Sequence, residues 1–464
     1  MSLAWSEAAR MAAAKGGPAD RLRRRLMAGC AALAMVPAGL ASGIPAVNAR
    51  GWQAGDYGLA LLRDGELALG AGFAMALLAL PVVLLALECS RVGSSGRDRR
   101  LAAMRAAGAR RGDVRRVIAV EASAMTALGV IVGTILVLAV WALLARWHVG
   151  GLPLLPPGVW PRPTHLLTAM TLVVLIGAVM AWWVAGRIRV GVAGQQRVER
   201  RVSGARAVFL VVVAGLAGGA ALVVSDSGMV NLAVSSTLAL TALVTLVAAL
   251  SLVAPLSTRA LGSLVGRGGS AVALLAGRGM AAHPARAGRA ASGLVLVGLV
   301  GGALATYGGA LRAGLRETLA AGHTLGGDST AFYLVPLTLA EVLLLVVGML
   351  GVVGLLVAVA EQVVVRRAAL GRQHAAGVPL PVLRRVMVLE TTLPVAVVGL
   401  LSTLVGMGVA GLLVAQVPEN PFAVDWWLVA GVVVLMTGGT AAAAWVASAR
   451  IVRAADVAAL RDGE

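Results

Sequence analysis

Residues 97–121 read RDRRLAAMRAAGARRGDVRRVIAVE, and residues 366–390 read RRAALGRQHAAGVPLPVLRRVMVLE. The two stretches align without a gap at a spacing of 269 residues. They share an Ala-Ala-Gly triplet, an Arg-Arg-Val triplet and a final glutamate, Glu121 or Glu390. Each stretch leads into a long apolar run, so the repeat predicts a duplicated structural unit rather than a chance match in an alanine-rich chain.

Each copy predicts a short helix that breaks at a glycine, Gly108 or Gly377, before a second helix begins. Glycine permits the left-handed turn that ends one helix and redirects the chain. Such an element would form a rigid knob that carries force from a soluble partner into two spanning helices. An ordinary basic loop would explain one copy alone, but two matched copies favour a docking role. We call residues 97–121 and 366–390 the first and second coupling elements.

The composition places these elements in a membrane protein. Hydrophobic residues make up 59% of the 464 residues, charged residues only 13%, and the mean hydropathy is +0.89. A spanning helix needs about 20 apolar residues. Ten segments satisfy that requirement: 27–45, 67–87, 117–145, 166–187, 207–224, 232–255, 292–311, 334–359, 386–414 and 427–447.

The basic residues set the orientation. The net charge of +19 would suit a nucleic-acid-binding protein, but the arginines sit in short clusters between apolar runs, so no nucleic-acid partner is expected. Of the 40 basic residues, 34 fall in the segments predicted to be cytoplasmic. The positive-inside rule then places both termini on the cytoplasmic side of the membrane. Four tryptophans lie near predicted outer ends, where indole rings favour the interface: Trp141, Trp160, Trp426 and Trp427.

The stretch from Leu101 to Ala122 resembles the signature of FtsX-like permeases, the MacB-type membrane subunits of ABC transporters. The second copy departs from that signature, because His374 replaces the helix arginine and Val378-Pro-Leu-Pro381 replaces the polar turn. Residues 278–289 and 454–461 are similar to the family's segments before the first helix of a repeat and at the tail. Many members carry a large extracellular domain, for which the predicted outer loops of this chain are too short.

The resemblance implies a fold, a partner and a location in the bacterial plasma membrane. The fold would be an all-α polytopic protein with about ten transmembrane helices. Residues 1–200 and 268–464 would form two FtsX-like four-helix units, and residues 201–267 a linker with a central helix pair. Each coupling element would meet one copy of an ATP-binding subunit, which would hold the ATP and magnesium. The implied docking residues are Arg100, Arg105, Gly108, Arg110, Arg111, Arg372, His374 and Gly377.

Ionisable residues inside spanning segments are candidates for function, because they are costly in a bilayer. Glu121 and Glu390 lie about one turn inside the predicted cytoplasmic boundary. Each either transmits force or has only a structural role at the boundary. Glu341 lies about two turns inside the outer end of the eighth span, and either lines a substrate path or is a loosely placed interface carboxylate. Gly129 and Gly133 have a spacing that favours close helix packing over ligand binding.

Catalysis and metal binding find no support in the sequence. There is no phosphate loop, the chain's single lysine is Lys15, and no histidines stand at metal-binding spacing. The predicted function is export or extraction of an amphipathic, peptide or lipid-like substrate, as in antimicrobial peptide resistance or lipid transport. One alternative is a signalling subunit that activates a partner protein by mechanotransmission. A secondary transporter is a further alternative, but it would need buried charges near the midplane.

Overall fold

The computed structural model describes residues 18–49, 57, 72, 75, 109–149, 152–187, 204–226, 232–284, 291, 294–322, 330–416 and 421–449. The helices within these ranges are α1 (Pro18–Asn48), α2 (Arg111–Arg146), α3 (Pro163–Arg187), α4 (Gly204–Asp226), α5 (Leu232–Val265), α6 (Ala271–Ala282), α7 (Val295–Ala320), α8 (Thr330–Val365), α9 (Arg367–Ala375), α10 (Leu380–Val414) and α11 (Trp426–Ser448). Two antiparallel strands of two residues each follow α2, namely β1 (His148–Val149) and β2 (Leu152–Pro153).

The predicted fold class, an all-α polytopic membrane protein, is confirmed. Eight of the described helices are long and apolar enough to cross a membrane, namely α1, α2, α4, α5, α7, α8, α10 and α11. The predicted span at 166–187 falls on α3, whose apolar part is shorter. The predicted span at 67–87 lies outside the described residues apart from Gly72 and Met75.

Apolar side chains cover much of the outer surface of these helices. Ile135 of α2, Leu175 of α3, and Phe209 and Leu216 of α4 are all exposed. Large apolar side chains on a protein surface are unfavourable in water but match the hydrocarbon core of a bilayer. The exposed faces therefore support insertion in a membrane.

The chain divides into two compact units. The first comprises residues 1–197 and 315–343, and the second comprises residues 198–314 and 344–464. The predicted three-part division rests on the sequence repeat and stays a prediction.

In the first unit, α1 packs closely against α2. A side chain at Gly129 or Gly133 would collide with the backbone carbonyl of Ala28 or Ala32, so both glycines serve close packing as predicted. At the other end of α2, Trp141 is buried and its Nε1 donates a 2.8 Å hydrogen bond to the carbonyl of Val159. The proline-rich connector folds over the ring of Trp141, so the ring contacts protein at this end of α2; its predicted position near the outer interface stays a prediction.

In the second unit, an ion pair joins the end of α7 to the start of α11. A 2.6 Å contact links Arg312 to Asp425. The other carboxylate oxygen of Asp425 caps α11 by accepting hydrogen bonds from the backbone N–H groups of Trp427 and Leu428. Trp426 and Trp427 are exposed, as expected for interfacial rings.

Candidate functional site

The second coupling element forms a helical corner between α8 and α10. The backbone leaves α8 at Val365, turns at Arg366, and enters the nine-residue helix α9. After α9, Pro379 precedes the first turn of α10 in an extended conformation. Proline suits this position because its ring holds φ near −65°, and the observed φ is −63°.

Gly377 makes the corner possible. Its φ is +92°, in the left-handed region that favours glycine. The N–H of Gly377 bonds the carbonyl of His374, and the N–H of Val378 bonds the carbonyl of Gln373. This pair of bonds is the Schellman motif, so the predicted helix break at Gly377 is confirmed.

Apolar packing attaches α9 to the spanning helices. Leu370 is buried in a cluster with Val363 of α8, Leu383 and Met387 of α10, and Ala447 of α11. A partner that pushes on α9 would therefore displace the ends of three helices together. The exposed side chains of the element include Arg372 and Arg385, while His374 is partly buried with its Nδ1 3.0 Å from the carbonyl of Val378.

Glu390 closes the base of this corner. Its carboxylate accepts a 2.9 Å hydrogen bond from Nη1 of Arg366, at the other end of the same element. The carboxylate also lies directly against Gly279 of α6, where a Cβ would collide with Oε1. One carboxylate thus joins α6, α10 and the start of the second coupling element.

Only the end of the first coupling element is described. Arg100, Arg105 and Gly108 lie outside the described residues, as does the side chain of Arg111. Arg110 is exposed, and its backbone N–H donates a 3.0 Å hydrogen bond to the carboxylate of Asp113. Asp113 thereby satisfies one of the unpaired N–H groups that flank a helix start.

Glu121 holds an ion pair in the first unit. Nε of Arg24, on α1, donates a 3.1 Å hydrogen bond to Oε1 of Glu121, whose side chain is 5% exposed. Glu121 and Glu390, equivalent in the sequence repeat, are therefore both paired with arginine near the start of a long helix. Their partners differ: Glu121 binds the helix α1, whereas Glu390 binds its own coupling element.

A second matched contact joins each element to the last helix of its repeat. The guanidinium of Arg115 lies 4.6 Å from the ring centroid of Trp182 on α3 and donates to the carbonyl of the same residue. The guanidinium of Arg384, equivalent to Arg115, lies 3.5 Å from the ring of Trp445 on α11 and donates to that carbonyl at 3.1 Å. Both contacts combine a cation–π interaction with a charge-assisted hydrogen bond.

Sequence reasoning missed this contact for a definite reason. The two tryptophans are 263 residues apart, so the fixed spacing of 269 that revealed the arginines does not align the rings. Arg384 also donates a 3.0 Å hydrogen bond from Nε to Ser448. The stacking contact could have been predicted from a different signal: each predicted unit has an arginine pair and a tryptophan near the cytoplasmic end of its last helix.

The remaining predicted residue, Glu341, lies on α8 and is partly buried. Within the described ranges, no group of three or more His, Cys, Asp or Glu residues could hold a metal ion.

These features define a polytopic helical membrane protein with arginine-rich sites near the starts of two long helices. Residues 72–190 match the family model of the FtsX-like permease C-terminal domain. The match covers about a quarter of the chain and includes the first coupling element, α2 and α3, which supports the FtsX-like permease family for this part. Comparison with curated proteins and with solved structures gives no match.

Proposed function

We propose that this chain is the membrane subunit of an ABC transporter and that its two coupling elements each receive one copy of a separate ATP-binding subunit. The observation that carries the proposal is the matched pair of sites at equivalent positions of the repeat. In both, a glutamate is held by an arginine and an arginine is stacked on a tryptophan. An FtsX-like permease segment indicates a membrane subunit of this type.

The second coupling element supports the mechanical part of the proposal. Because Leu370 packs against α8, α10 and α11, α9 is attached to the ends of several spanning helices. Closure of an ATP-bound dimer against Arg372, His374 and Gly377 would tilt these helices as a group. In the first unit, Arg100, Arg105, Gly108, Arg110 and Arg111 would take the equivalent role. Glu121 and Glu390 would transmit the movement, because each ties the element's second helix to another segment.

The substrate side of the proposal concerns the membrane itself. We expect an amphipathic peptide or lipid-like molecule, exported or extracted through the plasma membrane with both termini of the chain in the cytoplasm. Glu341 would contact a cationic group of that substrate. ATP hydrolysis would occur in the partner chain. We expect a neighbouring gene to encode that partner as a protein with a phosphate loop.

The test uses the permease and its ATPase reconstituted together in lipid nanodiscs. We expect cationic peptides or lipids to stimulate ATP hydrolysis, and Glu341→Gln to weaken the stimulation without changing the basal rate. Glu317→Gln, which removes the charge of an exposed carboxylate near the end of α7, is the control. Unaltered stimulation in Glu341→Gln would remove this residue from the substrate path. If no peptide or lipid stimulates ATP hydrolysis, but hydrolysis activates a partner protein, the function is signalling and not transport.

A further inference from the structure

The central helix pair ends in a helical hairpin on the predicted cytoplasmic side. Helix α5 reaches Val265, the chain turns through residues 266–270, and α6 runs back along α5. The two helices touch through backbone, since a side chain at Gly262 of α5 would collide with the backbone of Gly277 and Ala281 on α6. Ser270 caps α6 by accepting a hydrogen bond from the N–H of Ala273. We call residues 259–282 the inner hairpin.

The length of α5 fixes the depth of this hairpin. Residues 232–258 contain no charged side chain, and Arg259 is the first one along α5. These residues are more than sufficient to cross a hydrocarbon core of about 30 Å. The boundary therefore falls just before Arg259. The contact between Gly279 and Glu390 agrees, because it places the end of α6 beside a carboxylate predicted to lie about one turn inside the same boundary.

The hairpin extends only a short way beyond that boundary. From Arg259 to the turn at Gly266 the helix rises about 10 Å. The headgroup layer on each side of a bilayer is roughly 5–8 Å thick. The tip of the hairpin therefore ends close to the top of the headgroup layer, where lipid phosphates are within reach of an arginine side chain.

The exposed surface of the hairpin combines positive charge with apolar side chains. Arg259, Arg267 and Arg278 are exposed, and so are Leu264 and Leu274. Residues 227–316 contain no aspartate or glutamate, so no acidic side chain within this stretch can neutralise the arginines. Nearby Glu390 is already paired with Arg366.

From this geometry we propose that the inner hairpin is a binding site for anionic phospholipid headgroups of the inner leaflet. The leucines lie at the level of the headgroups, where an interface accepts apolar side chains beside basic ones. The guanidinium groups bind the phosphates, as long basic side chains do at an interface. Arginine suits this role because its planar fork binds phosphate oxygens in pairs. A soluble partner is the poorer occupant, because Arg259 lies at the boundary itself and Arg278 lies beside it, next to the contact between Gly279 and Glu390.

The test measures lipid retained by the purified permease alone. Native mass spectrometry after incubation with equal amounts of phosphatidylglycerol and phosphatidylcholine should show preferential retention of phosphatidylglycerol. The triple variant R259Q/R267Q/R278Q should lose that preference, by about fivefold in affinity for each arginine removed. The charge-conserving variant R259K/R267K/R278K should keep most of it. The matched control is R146Q/R162Q/R316Q, which removes three exposed arginines outside the hairpin.

Two results would overturn the proposal: equal retention of the two lipids by the unmodified protein, and full phosphatidylglycerol preference in the glutamine variant. A glutamine variant that keeps its lipid preference but no longer binds the ATPase would assign the hairpin to a protein partner. Because retention is measured without the ATPase, a selective lipid effect would stand even if the transporter function failed. Size-exclusion profiles and melting curves of all variants identify any that misfold.

Discussion

At the residue scale, the central features are two carboxylates held by arginines near the ends of long helices. An unpaired carboxylate at 5% exposure would be unfavourable, whereas a paired and hydrogen-bonded one is tolerated. Glu121 and Glu390 have partners on different segments, Arg24 of α1 and Arg366 of the second coupling element. The two copies of the repeat therefore keep the same carboxylate but connect it to different parts of the protein.

Removing the arginine from the first pair should destabilise the protein. We expect Arg24→Gln to reduce stability by up to about 3 kcal/mol, because Glu121 would stay buried but lose its ion pair with Arg24. The matched control is Arg25→Gln, which changes an exposed neighbour on the same helix. The melting temperatures of the two variants in detergent measure their loss of stability. Equal melting temperatures for the two variants would show that the pair contributes nothing to stability.

The stacked arginine of the second unit should show a measurable coupling to its tryptophan. A double-mutant cycle of Arg384→Gln and Trp445→Leu should give an interaction free energy of about 1 kcal/mol from the stacking alone. The hydrogen bonds of Arg384 to Ser448 and to the backbone carbonyl of Trp445 remain possible in Trp445→Leu and therefore cancel in the cycle. The same cycle with Arg385, the exposed neighbour, should give a value near zero. Equivalent values for Arg384 and Arg385 would contradict a specific stacking contact.

At the element scale, the second coupling element owes its shape to one glycine and one leucine. Gly377 turns the chain and Leu370 fastens α9 to the spanning helices. The sequence predicted the break at Gly377, because Ala-Ala-Gly recurs at the repeat spacing ahead of an arginine pair. It could not predict the partners of Glu121 or Arg384, because these lie on helices whose packing depends on contacts between residues distant in the chain.

Replacing Gly377 should damage this element specifically. We expect Gly377→Ala to cost about 1–2 kcal/mol, because a φ of +92° places an alanine Cβ against the neighbouring carbonyl. Gly408→Ala is the matched control in α10, where a Cβ meets no atom within 4 Å and helix propensity favours alanine. Thermal unfolding compares the two. If Gly408→Ala lowers the melting temperature and Gly377→Ala does not, the left-handed turn at Gly377 has no role in stability.

At the scale of the whole molecule, composition and periodicity were sufficient to predict the class of protein. Long uncharged runs such as residues 232–258 predict spanning helices because a bilayer admits few other structures. Packing of individual side chains was harder: the sequence placed Trp141 near the outer end of a span but did not predict that the proline-rich connector would bury its ring. That outcome depends on how a loop folds back, and the local pattern of residues carries no signal for it.

The central claim is that two matched elements each receive one ATP-binding subunit. The most direct measurement is native mass spectrometry of the permease co-purified with its ATPase. We predict one permease with two ATPase copies. The charge reversal R105E/R110E/R111E in the first element should reduce this to one copy without preventing membrane insertion, because surface charges of the wrong sign oppose docking. R146E/R162E/R316E, with the same change of charge elsewhere, should keep two copies. A single ATPase copy on the unmodified permease, or two copies on the reversed first element, would contradict the account.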